Sequence, residues 1–333
     1  MEKPKRSGEF EIIRRAFAPL AEGMPGAFAL TDDAAVLNPA QGERLIVTAD
    51  CLVEGVHFPV GAAPDEVAPK LLRVNISDLA AMGAEPWAYT LTTAFGPAVD
   101  DPWIERFAAA LGEEQKTWGI GLIGGDTVAT PGPSTFSVTA LGTMGGQQTP
   151  LRRNGACPGE RIWVSGTIGD GALGLKAVGG GLSYVDDADR QYLIERYHRP
   201  TPRIALGRAL LGIATAAIDV SDGLVADLGH ICETSGVEAV VAQASVPLSQ
   251  AARTARDRDS ALMESILAGG DDYELLFVAP PSAERRIQEI GGDLGVQVTE
   301  IGVIVASSGG ALVRVKGAGG RELSFSRTGY THS

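Results

Sequence analysis

"AIDVSDGLVADL", residues 217–228, sets three carboxylates among small and apolar side chains. The apolar run into Asp219 reads as a strand. Ser221 to Ser235 reads as a helix, with Ser221 as its N-cap and Gly236 as its stop. A strand feeding a helix through a short acidic turn is the repeating unit of an α/β fold. Capping accounts for one acid. It does not account for both Asp219 and Asp222, because like charges this close repel unless a cation offsets them.

Outward from this turn the same pattern recurs. "RLIVTAD" (Arg44–Asp50) reads as a strand ending in an acid. Residues 64–82 read as a helix whose apolar stripe runs Val67, Leu71, Val74 and Met82. Asp78 takes the missing place on that stripe, and an inward carboxylate is costly unless something compensates it. A buried salt bridge or a cap is the plain account of Asp78; its recurrence beside similar acids favours a functional one. A second amphipathic helix is predicted over 102–118, and "GLIGGDT" (Gly121–Thr127) reads as a short strand and glycine turn. "STFSVTALGTM" (Ser134–Met144) alternates like a strand, and "RRNGACPGE" (Arg152–Glu160) is polar and turn-rich, as a domain boundary should be. The second half opens with the strand "RIWVSG" and the glycine-rich "GTIGDGALGL". Gly166, Gly169 and Gly171 make a poor dinucleotide fingerprint and no P-loop lysine follows, so a plain turn is expected there. "LAGGDDYELLFVAP" (Leu267–Pro280) places a glycine pair and two acids before a strand, and further strands are expected near 296–305 and 311–315. The alternation predicts an α/β fold in two domains, 1–150 and 151–333.

Composition bounds the function. The 333 residues exceed one average domain, and 44% hydrophobic with 21% charged residues suits ordinary globular cores. A net charge of −13 argues against nucleic acid, while leaving nucleotides held through divalent metal. "MEKPKRSGEF" lacks the apolar core of a signal peptide, and no apolar run reaches membrane-spanning length. Cys51, Cys157 and Cys232 are far apart and lack zinc spacing, so free and mostly buried thiols in a cytoplasmic protein are expected. Of four histidines only His57 lies in an apolar setting, where a satisfied core histidine is the default. No serine–histidine–aspartate arrangement, G-x-S-x-G elbow or zinc motif occurs.

The acids form a constellation of one local type: Asp32 and Asp33, Asp50, Asp78, Asp126, Asp219 and Asp222, and Asp271 and Asp272. One such acid is commonly a turn-former, but turn-forming does not require apolar flanks. Carboxylates with water and phosphate oxygens are the usual surroundings of magnesium, and a magnesium-rich acidic site points to phosphoryl transfer. Backbone N–H groups in "IGGD" and near Ser221 are candidates to cradle phosphates. Arg153 is a candidate phosphate fork, with a solvated surface arginine as the equally supported alternative.

The ordered set "GEFEIIRRAF", "DDAAVL", "TADCLVEGVHF", "KLLRVNISDLAAMGAEP", "LIGGDT", "RRNGACPGERIWVSGTIGD", "HRPTPRIALG", "AIDVSDGL", "GGDDYELLF" and "TGY" resembles the thiamine-monophosphate kinase family from Gly8 to Tyr330. The wider superfamily includes aminoimidazole ribonucleotide synthetase and selenophosphate synthetase. The resemblance implies ATP-dependent conversion of thiamine phosphate to thiamine diphosphate, with several magnesium ions. It also implies a homodimer, an α/β architecture with α+β-like mixed sheets, an N-terminal half-barrel-forming sheet domain, and an active-site cleft completed by the C-terminal domain. Carried over by position, Asp33, Thr48, Asp50, Asp78, Asp126, Asp219 and Asp222 are the implied metal ligands. Gly125, Asp126, Arg153 and Ser221 are the implied ATP contacts, and His57, Asp271 and Tyr330 the implied thiamine-phosphate contacts. The chain departs from the family pattern at Thr31, Ala49, Asp271 (where a glutamate is usual) and the tail "GYTHS". Two rivals remain: a superfamily enzyme with another acceptor, and a non-catalytic nucleotide or metal sensor. Selenophosphate synthetase would want a reactive cysteine near the N-terminus, and the first 40 residues contain none.

Overall fold

A computed structural model describes residues 6–32 and 34–330. The chain divides into two compact units, one running to Leu79 and resuming over Ala84–Gln147, the other comprising Ala80–Gly83 and the chain from Gln148 onward. No helix among the described residues is long and apolar enough to cross a membrane.

The first unit contains a short helix α1 (Glu9–Ile12), strand β1 (Glu43–Val53), helix α2 (Pro64–Ala81), strand β2 (Glu85–Phe95), helix α3 (Asp101–Trp118), and strands β3 (Gly121–Ala129) and β4 (Thr135–Gly145). Its sheet has the order β1-β4-β2-β3, antiparallel except for the β2–β3 pair. Among the described residues it is open, with β1 and β3 as edges. Asp100 caps α3 by accepting the Trp103 N–H at 2.9 Å, and Gly119 ends the helix in the left-handed conformation. Its apolar face puts Trp103 and Phe107 against Phe136 of β4, with ring centroids 5.8 and 5.0 Å apart. Arg73 of α2 forks onto Glu114 of α3 at 2.7 and 2.9 Å, tying the two helices over this core.

The expected glycine turn at "IGGD" is instead the middle of β3. The strand continues because β2 pairs with it from Gly121 to Ala129, shifting register once between Tyr89 and Thr90. A Cβ on Gly125 would lie 1.8 Å from the Leu91 carbonyl oxygen, so the glycine permits close pairing rather than a turn.

The second unit runs β5 (Arg161–Ser165), α4 (Asp170–Val178), α5 (Asp187–His198), α6 (Ile204–Ala209), β6 (Ala216–Asp219), α7 (Leu224–Ser235), β7 (Val237–Ala242), α8 (Gln250–Arg258), α9 (Leu262–Ala268), β8 (Leu275–Ala279), α10 (Glu284–Leu294), β9 (Val298–Ala306) and β10 (Val313–Lys316). Its six-stranded sheet, β10-β7-β9-β5-β8-β6, is antiparallel except at β10–β7. The fold is therefore α/β with mixed sheets. β8 is buried along its whole length, which is why "LLFVA" is uninterrupted apolar sequence. The expectation that the cysteines are mostly buried fails. Cys232 is buried in α7, but Cys51 lies on the outward side of edge strand β1 and Cys157 in the boundary loop, both exposed.

Where β5 ends and β8 begins lies a buried ionic node. Glu274 accepts from Arg203 at 2.6 Å to each oxygen, from Arg196 at 3.0 Å and from the Ser165 hydroxyl at 2.6 Å. A carboxylate so enclosed is tolerable only because its oxygens are occupied by charged and hydroxyl donors. Glu274→Ala leaves both guanidiniums without it and is expected to destabilise the chain by about 3–5 kcal/mol. Denaturant unfolding measures this directly; a loss below about 1 kcal/mol would refute the node's structural role.

Candidate active site

In the first unit the predicted residues gather where α2 crosses β1. Thr48 and Asp50 are alternate residues of β1 and so share one face. Asn75 and Asp78 lie one turn apart on α2 and meet that face. The Thr48 hydroxyl donates to Asp78 Oδ2 at 2.5 Å, and the Asp50 N–H donates to Asn75 Oδ1 at 3.0 Å. Asn75, which the sequence reading passed over, is oriented by donating from Nδ2 to the Leu71 carbonyl at 2.9 Å. The misfit Asp78 on the apolar stripe is thus half-buried and accepts from a hydroxyl.

Asp126 is not part of this group. Asp50 is in register with Val138, Leu91 and Gly125, whereas Asp126 aligns with Thr92, Ser137 and Cys51, one residue along. Consecutive strand residues face opposite ways, so Asp126 lies on the other face as well as the other edge, about 14 Å across three strand spacings. Gly125 and Asp126 are exposed, as is Asp32. Asp33 lies outside the described residues. His57 Nδ1 accepts the Val53 N–H at 3.0 Å, which leaves the ring proton on Nε2 in the neutral tautomer.

In the second unit the decisive segment is the turn 221–223. Asp219 ends β6 almost fully buried, in register with Leu275. Helix α7 then begins at Leu224 with Gly223 at the N-cap, so Ser221 is not the cap that its position suggested. The reason is Asp227, in the first turn of α7. Its Oδ2 accepts the N–H groups of Ser221, Asp222 and Gly223 at 3.1, 3.1 and 3.0 Å. Those three N–H groups are therefore committed internally, so of the expected donors near Ser221 only those from Leu224 onward lie outside this grip. Burial, and then the neighbouring Asp222 charge, push the Asp227 carboxyl up to about 7 against the pull of these three donors.

The turn also anchors the two segments that carry the predicted substrate contacts. Asp271 donates its N–H to the Ser221 carbonyl at 2.9 Å, and Tyr273 donates to Val220 at 2.8 Å. Asp271 and Tyr273 have φ of 72° and 52°, unusual for residues with a Cβ. The buried Asp272 between them accepts from Gly169 and Gly171 at 2.7 and 2.9 Å, which pins the strained loop to the start of α4. Residues 166–169 thus form the expected turn, and Asp170 and Gly171 already belong to α4. Tyr330 donates its N–H to the Asp222 carbonyl at 3.0 Å while its ring stays exposed. Arg153 is exposed, and its carbonyl accepts from the Ser235 hydroxyl at 3.3 Å. Asp219, Ser221, Asp222, Asp271 and Tyr330 are thus brought together. Asp227 was visible in sequence as a third acid on an apolar helix stripe, the same signal that singled out Asp78.

Residues 31–144 match the family model "AIR synthase related protein, N-terminal domain", and residues 157–315 match "AIR synthase related protein, C-terminal domain". The thiamine-monophosphate kinase of Caulobacter vibrioides is 42% identical over 97% of this chain and 90% of its own length. The chain belongs to the thiamine-monophosphate kinase family. The crystal structure of the Stenotrophomonas maltophilia family member superposes with a TM-score of 0.79 at 44% identity, covering 88% of this chain and 91% of that one. A second family structure, AaThiL complexed with AMPPCP and TMP, superposes with a TM-score of 0.75 at 29% identity over 90% and 91%.

The donors on both units of this family member suit a hard cation. Thr48, Asp50 and Asp78 on one unit, and Asp219 and Asp222 on the other, offer only oxygen. The Thr48 hydroxyl is tied to Asp78, and Asp219 is buried. Close packing sets the geometry: a Cβ on Gly270 would lie 2.0 Å from the Ser221 carbonyl oxygen. Gly270→Ala must push the 269–273 loop off the turn, with an expected cost of about 1–3 kcal/mol. Thermal unfolding checks it; an unchanged melting temperature would show that the two segments are not in contact.

Proposed function

We propose that this chain phosphorylates thiamine phosphate with ATP in the cytoplasm, giving thiamine diphosphate and ADP. The observation that carries the reading is its near full-length relation to AaThiL, whose structure holds AMPPCP and TMP. Several magnesium ions would be held by Asp33, Thr48, Asp50, Asp78, Asp126, Asp219 and Asp222, a donor set of the right chemistry. When bound, magnesium offsets the charge that develops on the transferring phosphoryl group. Gly125, Asp126, Arg153 and Ser221 are assigned to ATP, with Ser221 acting through its side chain because its N–H is committed to Asp227.

The acceptor is a phosphate monoester with a second pKa of about 6, so it is ionised at neutral pH and needs no strong general base. One of its oxygens attacks the γ-phosphorus in line. The new O–P bond forms as the bond to the β–γ bridging oxygen breaks, and ADP leaves with that electron pair. No proton has to be abstracted, in keeping with the absence of a recognisable catalytic histidine. His57, with its proton on Nε2, is a donor suited to the acceptor phosphate. The Asp271 carboxylate suits the cationic thiazolium, and the exposed Tyr330 ring gives a face for stacking. The chain's contribution is positioning. Phosphorus NMR with ATP, magnesium and thiamine phosphate is expected to show ADP and thiamine diphosphate in equal amounts, and neither without divalent metal. ADP with free phosphate alone would overturn the acceptor; ATP-dependent thermal stabilisation without turnover would favour a sensor.

The homodimer is proposed on the same footing. Asp50 and Asp126 sit on opposite edges of an open sheet. Leu45 and Val47 on β1 and Val128 on β3 are exposed apolar residues at those edges. Edge β3 of one copy set beside β1 of another would cover both edges. Val47→Asp and Val128→Asp chains are then expected to sediment as monomers where the unsubstituted chain sediments as a dimer. An unsubstituted chain that sediments as a monomer would refute the pairing.

A further inference from the structure

We propose that Asp227 is a positioning residue that holds the metal-side and substrate-side parts of the second unit's site in one register; this rests on the phosphoryl-transfer reading above. A single carboxylate oxygen collects three successive backbone N–H groups, all within 3.1 Å. Residues 221–223 belong to neither helix nor strand, so no ladder supplies those donors with partners. Asp227 is 2% exposed, so water is not a ready substitute for it. An ordinary N-cap would serve amides inside the helix. These three precede Leu224, and the bonds define the turn rather than the helix.

The Gly223 carbonyl accepts the Asp227 N–H at 3.0 Å, and the other two carbonyls of the turn serve other segments. Ser221 accepts from Asp271, and Asp222 accepts from Tyr330. The turn is thus gripped through its N–H groups by Asp227, and through its C=O groups it grips the two segments assigned to thiamine phosphate. Displacing it moves Asp222, Asp271 and Tyr330 together. Asp227→Ala therefore acts on metal and acceptor at once, whereas Asp227→Asn keeps an acceptor oxygen in place.

Amide hydrogen exchange and steady-state kinetics test this. In the nucleotide-free wild type the amides of 221–223 are expected to be protected although they lie outside regular structure. Asp227→Ala should lose at least about tenfold of that protection, at 221–223 and at Tyr330, while the amides of β8 keep theirs. The half-saturating magnesium concentration and the KM for thiamine phosphate should rise together by about tenfold in Asp227→Ala and return toward wild type in Asp227→Asn. A merely structural role would lower the melting temperature and the active fraction and leave both constants unmoved. Fast exchange of 221–223 in the wild type overturns the proposal without any variant, and so does an Asp227→Ala enzyme with wild-type constants. If the wild type makes no thiamine diphosphate, the functional reading fails while the exchange result still decides the role of Asp227 in the turn.

Discussion

Three N–H groups converging on one buried carboxylate oxygen organise the second unit. A turn between a strand and a helix leaves its amides without ladder partners, and burying them so would cost several kcal/mol. Asp227 removes that cost from within the helix that the turn enters. The consequence is geometric: with the N–H groups directed at Asp227, the carbonyls of Ser221 and Asp222 face away and become acceptors for Asp271 and Tyr330. Residues some 50 and 110 positions apart in sequence are thereby joined through main chain, which is less free to rearrange than a side-chain contact.

The same economy runs through the neighbouring loop. Asp271 and Tyr273 occupy left-handed backbone, which costs about 1–3 kcal/mol each unless the surroundings enforce it. Here they do: Asp272 is fastened to Gly169 and Gly171 on one side, and the main chain of 271 and 273 to the turn on the other. Burial holds the Asp272 carboxyl well above the ordinary carboxylate range, against the two backbone donors that favour its charge. Just beyond it, Glu274 anchors Arg196 and Arg203 at the start of β8. The "GGDDYE" acids thus divide their work. Asp271 is presented, while Asp272 and Glu274 hold the loop that presents it.

The first unit solves a different problem. Its acids are presented from a sheet, where neighbours on one face are fixed by register and edges remain open. Thr48, Asp50, Asn75 and Asp78 meet because two strand residues two apart and two helix residues three apart share facing surfaces. Asp126 is excluded from that group by one residue of register and three strands of sheet.

Periodicity alone predicted helices over 64–82 and 102–118, within a residue of their ends in the structure, and most strands, because amphipathic stripes and β-branched runs are local properties. It also marked Asp78 as a misfit, and Asp227 bore the same mark. What it missed was non-local. "IGGD" has turn-like composition, but pairing with β2 overrides it and the glycines become points of close approach. Ser221 has the chemistry of an N-cap, but a carboxylate four residues into the next helix captures the amides first. Exposure of Cys51 follows from β1 being an edge, which depends on strand order and not on the residues flanking it. Sequence determined which side chains are available and which backbone segments are regular. Tertiary structure decided which donors are already committed, and hence which acids are presented and which hold them there, because a hydrogen-bond donor committed to one partner is no longer available to another.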